Sequence, residues 1–439
     1  MNPITHTISF AARGPLAALD ETARRALFDR STSNDERVRA RTTDIIGRVR
    51  RDGDSALIAY AREFDGASLS SLEVPRAHWD AARDALDPSL RRALERAASN
   101  IRAVHEAFRP TAREVTTVDG AVIGRRPDAL SRVGVYAPGG RATYPSSLLM
   151  GAIPARVAGV REVIVCSPPG ASGSPSDVLL AAAAIAGVDR VFAIGGAGAV
   201  AAMAYGTATV PAVDRIVGPG NAYVAEAKLQ VSGIVGIDSP AGPSELLVLA
   251  DASATPAVVA REMLAQAEHD PVAAVVLVTD SPTLAVDVER ELAARVDAEP
   301  RATVIRQAFA ARGGIVTVDS LVDAVEFANR WAAEHLLLAV APTVQDRVLA
   351  ELRSAGTIFV GETASVAFGD YMSGANHVLP TGGLARIWSG LSTLDFVRWT
   401  TWQRIDRDVA RLLARDVDVF ATAEGLPGHA ATARQWEGA

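Results

Sequence analysis

The chain has 439 residues, enough at roughly 150 per domain for about three domains and a large buried core. Lys and Arg total 44 against 51 Asp and Glu, a formal charge of -7, which argues against a nucleic-acid groove or an anionic membrane as the partner. One cysteine, Cys166, rules out internal disulfides and cysteine-built zinc scaffolds, and its place after the apolar run 163–165 reads as a buried strand thiol.

Residues 1–14 lack the basic and apolar stretches of a signal peptide. The longest apolar span, 178–188, is about half the length needed to cross a bilayer and is flanked by Asp177 and Asp189. A cytoplasmic protein that does not span a membrane is the expectation.

Up to about residue 110 the pattern is helical, with no clear strand. Val38, Thr42, Ile45, Ile46 and Val49 recur at helical spacing. Asp87 and Pro88 supply an N-cap and a first-turn proline for a helix carrying Leu90, Leu94, Ile101, Val104 and Phe108 on one stripe, stopped by Pro110. His6, His78 and His105 fall in this part and read as surface or capping residues. From residue 132 short apolar, β-branched runs alternate with Ala-rich helical stretches, at 133–136, 163–165, 191–194, 216–217 and 234–237. A second series follows at 246–249, 275–278, 315–318, 336–340 and 357–360. Such runs, with helices between them, indicate parallel sheets covered on both faces. After about Leu391 the strands cease and a helical tail is expected.

Three glycine-rich turns end predicted strands, where α/β sheets bind ligands. Gly196 to Ala201 formally satisfies the dinucleotide fingerprint in its G-x-G-x-x-A form, but no acidic residue ends the next strand, and an Ala/Gly-rich turn is the better explanation. The others are Tyr136 to Gly140 and Gly218 to Asn221. Lys228 is the one lysine of the chain, so Schiff-base chemistry would have only that side chain to run through. Gln266 and His269, an i, i+3 pair near a helix end, could both reach one cation. Glu334 and His335 stand where a helix is expected to give way to a strand, suited to proton transfer or to capping. Asp370 and His377 lie on a polar, Gly-rich loop that fits metal or substrate binding better than packing. Glu424 and His429 sit in the tail, where a charge pair is ordinarily solvated.

In order, these segments resemble the histidinol dehydrogenase family. The resemblance runs from about Thr42 to His429 through Gly-Val-Tyr-Ala-Pro-Gly-Gly at 134–140, Gly-Pro-Gly-Asn at 218–221, Pro-Ala-Gly-Pro-Ser-Glu at 240–245, Gln-Ala-Glu-His at 266–269 and Glu-His-Leu at 334–336. It continues through 369–381 and ends on Glu424 with His429. It implies a cytoplasmic, NAD-dependent zinc enzyme that oxidises the CH–OH of L-histidinol through L-histidinal to L-histidine. Gln266, His269, Asp370 and His429 would then hold one Zn²⁺ per subunit. Ser244, Gln266, His269, His335, Asp370, His377, Glu424 and His429 would form the substrate pocket. His335 would take the alcohol proton, and Glu334 would activate water to hydrate the aldehyde. Tyr136, Gly198 and Asn221 would face NAD. Gly198 departs from the Gln of many members, leaving out a side-chain contact to the dinucleotide. A homodimer with Glu424 and His429 supplied in trans follows from the same resemblance.

The fold implied is α/β: two doubly wound parallel-sheet, incomplete Rossmann-like domains with small helical N- and C-terminal segments. The expected boundaries are an N-terminal helical segment 1–26, a first α/β domain from 27–135 and 246–390, a second from 136–245, and a tail 391–439 packing on the partner subunit. Competing readings are a paralogous zinc and NAD dehydrogenase of another polar alcohol such as a sulfonated diol, a zinc hydrolase, and a silent small-molecule-binding protein.

Overall fold

The computed structural model describes residues 8–30, 35–139 and 143–437. His6 and Gly140 lie outside the described residues.

Two six-stranded sheets carry the molecule. The first has the order Ala12–Pro15, Gly314–Thr317, Ala274–Thr279, Glu245–Ala250, Ala333–Ala339, Ala355–Val360, every pairing parallel. The second runs Glu73–Val74, Arg190–Ala193, Glu162–Ser167, Arg132–Tyr136, Arg215–Val217, Gly236–Ile237, parallel except at the Glu73–Val74 edge. In each, after a first strand laid at one edge, the chain enters at a central strand, winds outward toward that edge, then returns to fill the other side. The switch point lies between Glu245–Ala250 and Ala333–Ala339 in the first sheet, and between Arg132–Tyr136 and Arg215–Val217 in the second. The doubly wound α/β class is as expected.

Helices cover both faces, so strand residues alternate between two cores rather than between core and water. Leu246 and Val248 pack into one cluster, and Leu247 and Leu249 into the cluster across the sheet. Val133, Val135, Val163 and Val165 divide from Tyr136, Ile164 and Cys166 in the same way. Cys166 is fully buried, which pushes its thiol pKa upward.

The domain boundaries differ from those expected. Glu36–Asp52 packs on Gly196–Tyr205 and Ala222–Val231, Arg76–Asp84 on Asp177–Ala186, and Pro88–Ala107 on Pro145–Ala158. Residues 35–107 therefore build the second α/β unit, not the first. The N-terminal segment is not purely helical, since Ala12–Pro15 adds a parallel edge strand to the first sheet. The tail is not purely helical either. Val397–Arg404 pairs antiparallel with Val122–Ala129, which pairs with Arg113–Thr116 to form a third, small sheet. Val122–Ala129 holds Gly124, Pro127, Asp128 and Ala129, residues poor in strand propensity. Gly124 is required there, because a Cβ would lie 2.1 Å from the Trp402 ring laid across it. The helices Arg407–Ala423 and Pro427–Arg434 complete the tail.

Candidate active site

Between the two large sheets lies a cleft of about 650 Å³. The second sheet offers its C-terminal edge at the switch point, through Pro138, Pro219 and Asn221. The first sheet offers its N-terminal edge, through Ser244, Glu334 and His335, with His269 and His377 from flanking turns and Asp370 from the helix Val366–Tyr371 rather than the expected loop.

Glu334 and His335 belong to the strand Ala333–Ala339, which begins earlier than its apolar run suggested. They are delivered by a tight reversal. Ala332 caps the helix Leu321–Trp331 in the left-handed region at φ 52, the one such non-glycine among the described residues, at a cost of about 1–2 kcal/mol. On the next strand Gly356 lets the backbones meet, since a Cβ there would lie 2.6 Å from the Glu334 carbonyl oxygen. Both side chains are buried. Glu334 Oε2 accepts from the Glu245 backbone N–H at 2.6 Å and from Ser244 Oγ at 3.1 Å.

The histidine rings are oriented by carbonyl groups, which only accept. His335 Nδ1 donates to the Glu245 carbonyl at 3.0 Å, leaving Nε2 as the basic nitrogen, without a hydrogen bond and 3.5 Å from Asp370 Oδ1. His377 Nδ1 donates to the Asp370 carbonyl at 2.9 Å, so its Nε2 accepts from Ser147 Oγ at 3.2 Å. Burial would lower the His335 pKa, but the Glu334 charge and the nearby Asp370 carboxylate raise it well above the ordinary imidazole value. For Asp370 burial acts upward, and the His335 ring 3.5 Å away, with His377 and His269 nearby, brings the net shift below the usual carboxylate range. For His377 burial wins and the pKa falls.

Behind Glu334 stands a pair that the sequence reading missed. Arg30 donates to Glu245 Oε2 at 2.6 Å, both side chains buried, with the guanidinium 3.6 Å over the Trp331 ring. Burial, opposed by Arg30 and assisted by Glu334, pushes the Glu245 carboxyl up to about 7.

A second cavity of about 440 Å³ opens beside the first, and Asn221 lines both. It brings together Tyr136, Gly198 and Asn221, the three residues expected to face a dinucleotide. Tyr136 Oη accepts from the Gly196 backbone N–H at 3.1 Å, and burial pushes the phenol up to about 12. Tyr60, Phe64 and Asp65 also line this cavity and were not anticipated; burial lifts Asp65 to about 6. An exposed Phe64 stacked on Tyr60 at 5.4 Å is a flat apolar platform, which sequence patterning reads only as another helical apolar position.

Not every expected residue reaches the cleft. Gln266 is buried in the last turn of Pro256–Ala267, its Nε2 without a partner, while His269 lies past the helix end, exposed on the cleft. Glu424 and His429 are exposed on the tail and do not line it. Among the described residues, no three His, Cys, Asp or Glu side chains of one chain are gathered closely enough to hold a metal ion.

Comparison with known proteins places this geometry. The family model described as histidinol dehydrogenase matches residues 28–435. The histidinol dehydrogenase of Halobacterium salinarum is 48% identical over 418 residues, covering 95% of this chain and 97% of its own. That of Methanosarcina mazei is 46% identical over 391 residues, covering 89% and 90%. A crystal structure of histidinol dehydrogenase from Elizabethkingia anophelis superposes with a TM-score of 0.91 at 32% identity, covering 97% of this chain and 98% of that one. Matched over nearly its whole length in sequence and in fold, the chain belongs to the histidinol dehydrogenase family.

Proposed function

We propose that the chain oxidises L-histidinol, through L-histidinal, to L-histidine with two NAD⁺ in the cytoplasm, and that Glu334 and His335 carry the proton transfers. The observation that supports this most is the buried pair itself: a base nitrogen free of hydrogen bonds and a carboxylate beside it, in a cleft joined through Asn221 to a second cavity. In its neutral form, which the raised pKa places toward alkaline pH, His335 Nε2 takes the proton of the substrate hydroxyl, its tautomer set by the Glu245 carbonyl. When NAD⁺ is bound, its nicotinamide accepts the hydride leaving the carbinol carbon in each half-reaction. Glu334 removes a proton from the water that adds to the aldehyde, and His335 takes the hydroxyl proton of the hydrate. One water is consumed, and its oxygen stays in the carboxylate.

One Zn²⁺ per subunit fits the donor set: the Gln266 amide, buried with an unpartnered nitrogen, the His269 imidazole and the Asp370 carboxylate, with His429 as a fourth. When bound it would anchor the substrate imidazole and amine as a template. Ser244, His377 and Glu424 complete the pocket. Because Glu424 and His429 do not line the cleft of their own chain, we assign them to the partner in a homodimer. The tail exposes Leu412, Val419 and Phe420 at 60%, 64% and 69%, apolar surface that association would cover. No helix among the described residues is long and apolar enough to cross a membrane. The reduced, buried Cys166 suits a cytoplasmic enzyme. A sulfonated diol as substrate is not favoured, since the relatives described above carry the histidinol dehydrogenase name.

The test is stoichiometry combined with metal analysis. Zinc-loaded protein should release about two NADH per histidinol consumed. Absence of any NADH with that substrate would refute the proposal.

A further inference from the structure

The one lysine of the chain is buried. Lys228, in the helix Ala222–Val231, and Asp238, just past the strand Gly236–Ile237, are each 3% exposed and form an ion pair. Both ends of the pair grip one residue, Gly218. Lys228 Nζ donates to its carbonyl at 3.1 Å, and Asp238 Oδ2 accepts from its N–H at 2.7 Å. Gly218 sits at φ +114, and a Cβ there would lie 2.1 Å from the Tyr136 carbonyl oxygen. Three loops therefore meet at this knot. They are the turn after Arg132–Tyr136, the turn 218–221 after Arg215–Val217, and the stretch from Asp238 to Ser244 that leads into the first sheet.

Buried ion pairs contribute little net stability relative to apolar packing, and their best attested use is to fix one conformation. The residue type supports that use here. Lys and Arg total 44 and a single one is lysine, so a composition that supplies arginine nearly everywhere departs from it at this position. An ammonium is a compact point charge with tetrahedral donors, able to serve a carboxylate and a carbonyl in a closed space, where a planar guanidinium is too large. We propose that Lys228 and Asp238 are positioning residues for the cofactor side of the reaction, holding the 218–221 turn so that Asn221 keeps its place between the two cavities. The inference rests on the dinucleotide reading of the second cavity given above.

The experiment uses the zinc-loaded, full-length protein and the chain's scarcity of lysine. In the native wild type, acylation by a water-soluble N-hydroxysuccinimide ester, read by mass spectrometry, should label the N-terminal amine about 100-fold faster than Lys228. Asp238→Asn should bring Lys228 into reach and weaken NAD⁺ binding, measured directly by calorimetry, about 10-fold, while the KM for histidinol moves less than about twofold. Lys228→Met combined with Asp238→Leu leaves no unpaired buried charge to unfold the chain, and should show the same loss of NAD⁺ affinity. Lys228→Arg should not restore it. Equal NAD⁺ affinity in wild type and folded double variant would overturn the positioning role alone. Wild type that fails to bind NAD⁺ would overturn the dinucleotide reading with it.

Discussion

The resemblance read from the sequence expects a glutamine where this chain has Gly198, and placing one there is a sharp test of how the second cavity works. Gly198 is the third residue of the helix Gly196–Tyr205. A Cβ built on it meets Leu57 Cδ2 at 3.4 Å and Tyr60 Cδ2 at 3.6 Å, ordinary van der Waals contacts, and its φ lies outside the left-handed region. The backbone therefore accepts a side chain. Replacing glycine inside a helix should itself add about 0.5 kcal/mol of stability. If the amide reaches the dinucleotide, one hydrogen bond is worth about 0.5–1.5 kcal/mol, a gain in NAD⁺ affinity of about 2- to 10-fold. Gly198→Ala supplies the helical gain without the amide and is the control. Calorimetric titration of NAD⁺ against wild type, Gly198→Ala and Gly198→Gln separates the two effects, with chemical denaturation reporting the first. Gln no better than Ala would show that the wedge between Leu57 and Tyr60 aims the amide away from the cofactor. Weaker binding by both would show that the second cavity needs the space that glycine leaves.

Glu334→Gln keeps the shape and an acceptor for the Glu245 N–H but removes the base for water. NADH per histidinol should fall from about two toward one, with the full reaction slowed about 10²- to 10⁴-fold. Co-refolding inactive His335→Ala protomers with inactive His429→Ala protomers in equal amounts should restore about a quarter of wild-type activity, because half the dimers are mixed and each holds one intact site; no recovery would place His429 in its own chain's site. His105 is buried with both ring nitrogens unpartnered, and burial pushes its pKa down to about 4. The unfolded ring takes its proton near pH 6.5 and the folded one near 4. The stability tied to a neutral His105 is thus intact above about pH 6.5 and lost as pH falls from there to about 4, by about 3 kcal/mol in all. Urea unfolding at pH 7.5 and 5 should show wild type losing about 2 kcal/mol more than His105→Leu, and equal losses would mean that the ring protonates in place.

Ten of the twelve strands of the two large sheets were legible because they are short apolar runs between helical stretches, whereas the edge strands Ala12–Pro15 and Glu73–Val74 carry no such run and were missed. Which helices belong with which sheet was not legible, since an amphipathic stripe says that a face is buried and nothing about what buries it. His105 shows the same limit at one residue. The stripe read through Leu90 and Phe108 is rotated in the structure toward Leu94, Ala98, Ile101 and His105, leaving Phe108 68% exposed. His105 follows Ile101 at i+4, so the periodicity did carry the signal, and residue type masked it. Gly356 and Ala332 act only through backbone approach and were invisible without coordinates. Glu334, His335, Asp370 and His377 were singled out as polar residues at predicted element ends. Their convergence came from resemblance and not from spacing, because the segments that carry them are joined only by the fold.

The two sheets present opposite edges to the cleft, and the helix ends that come with those edges differ in sign. Parallel sheets place helix N-termini at the C-terminal ends of their strands and helix C-termini at the other edge. At the second sheet, Pro145–Ala158, Gly196–Tyr205 and Ala222–Val231 all begin beside the cavities. The aligned peptide dipoles give these helix starts partial positive charge, suited to the phosphates of a dinucleotide. At the first sheet, Pro256–Ala267 ends just before His269, Leu321–Trp331 ends just before Glu334, and Asp370 sits in the last turn of Val366–Tyr371. Partial negative charge there favours cations, which under the proposed reading are the metal, the substrate amine and a protonated His335. The common rule that α/β sheets bind at the C-terminal edge holds for the second sheet and is reversed in the first. Under the proposed reading the reversal has a physical sense: an anionic cofactor and a cationic substrate would each face helix ends of opposite sign.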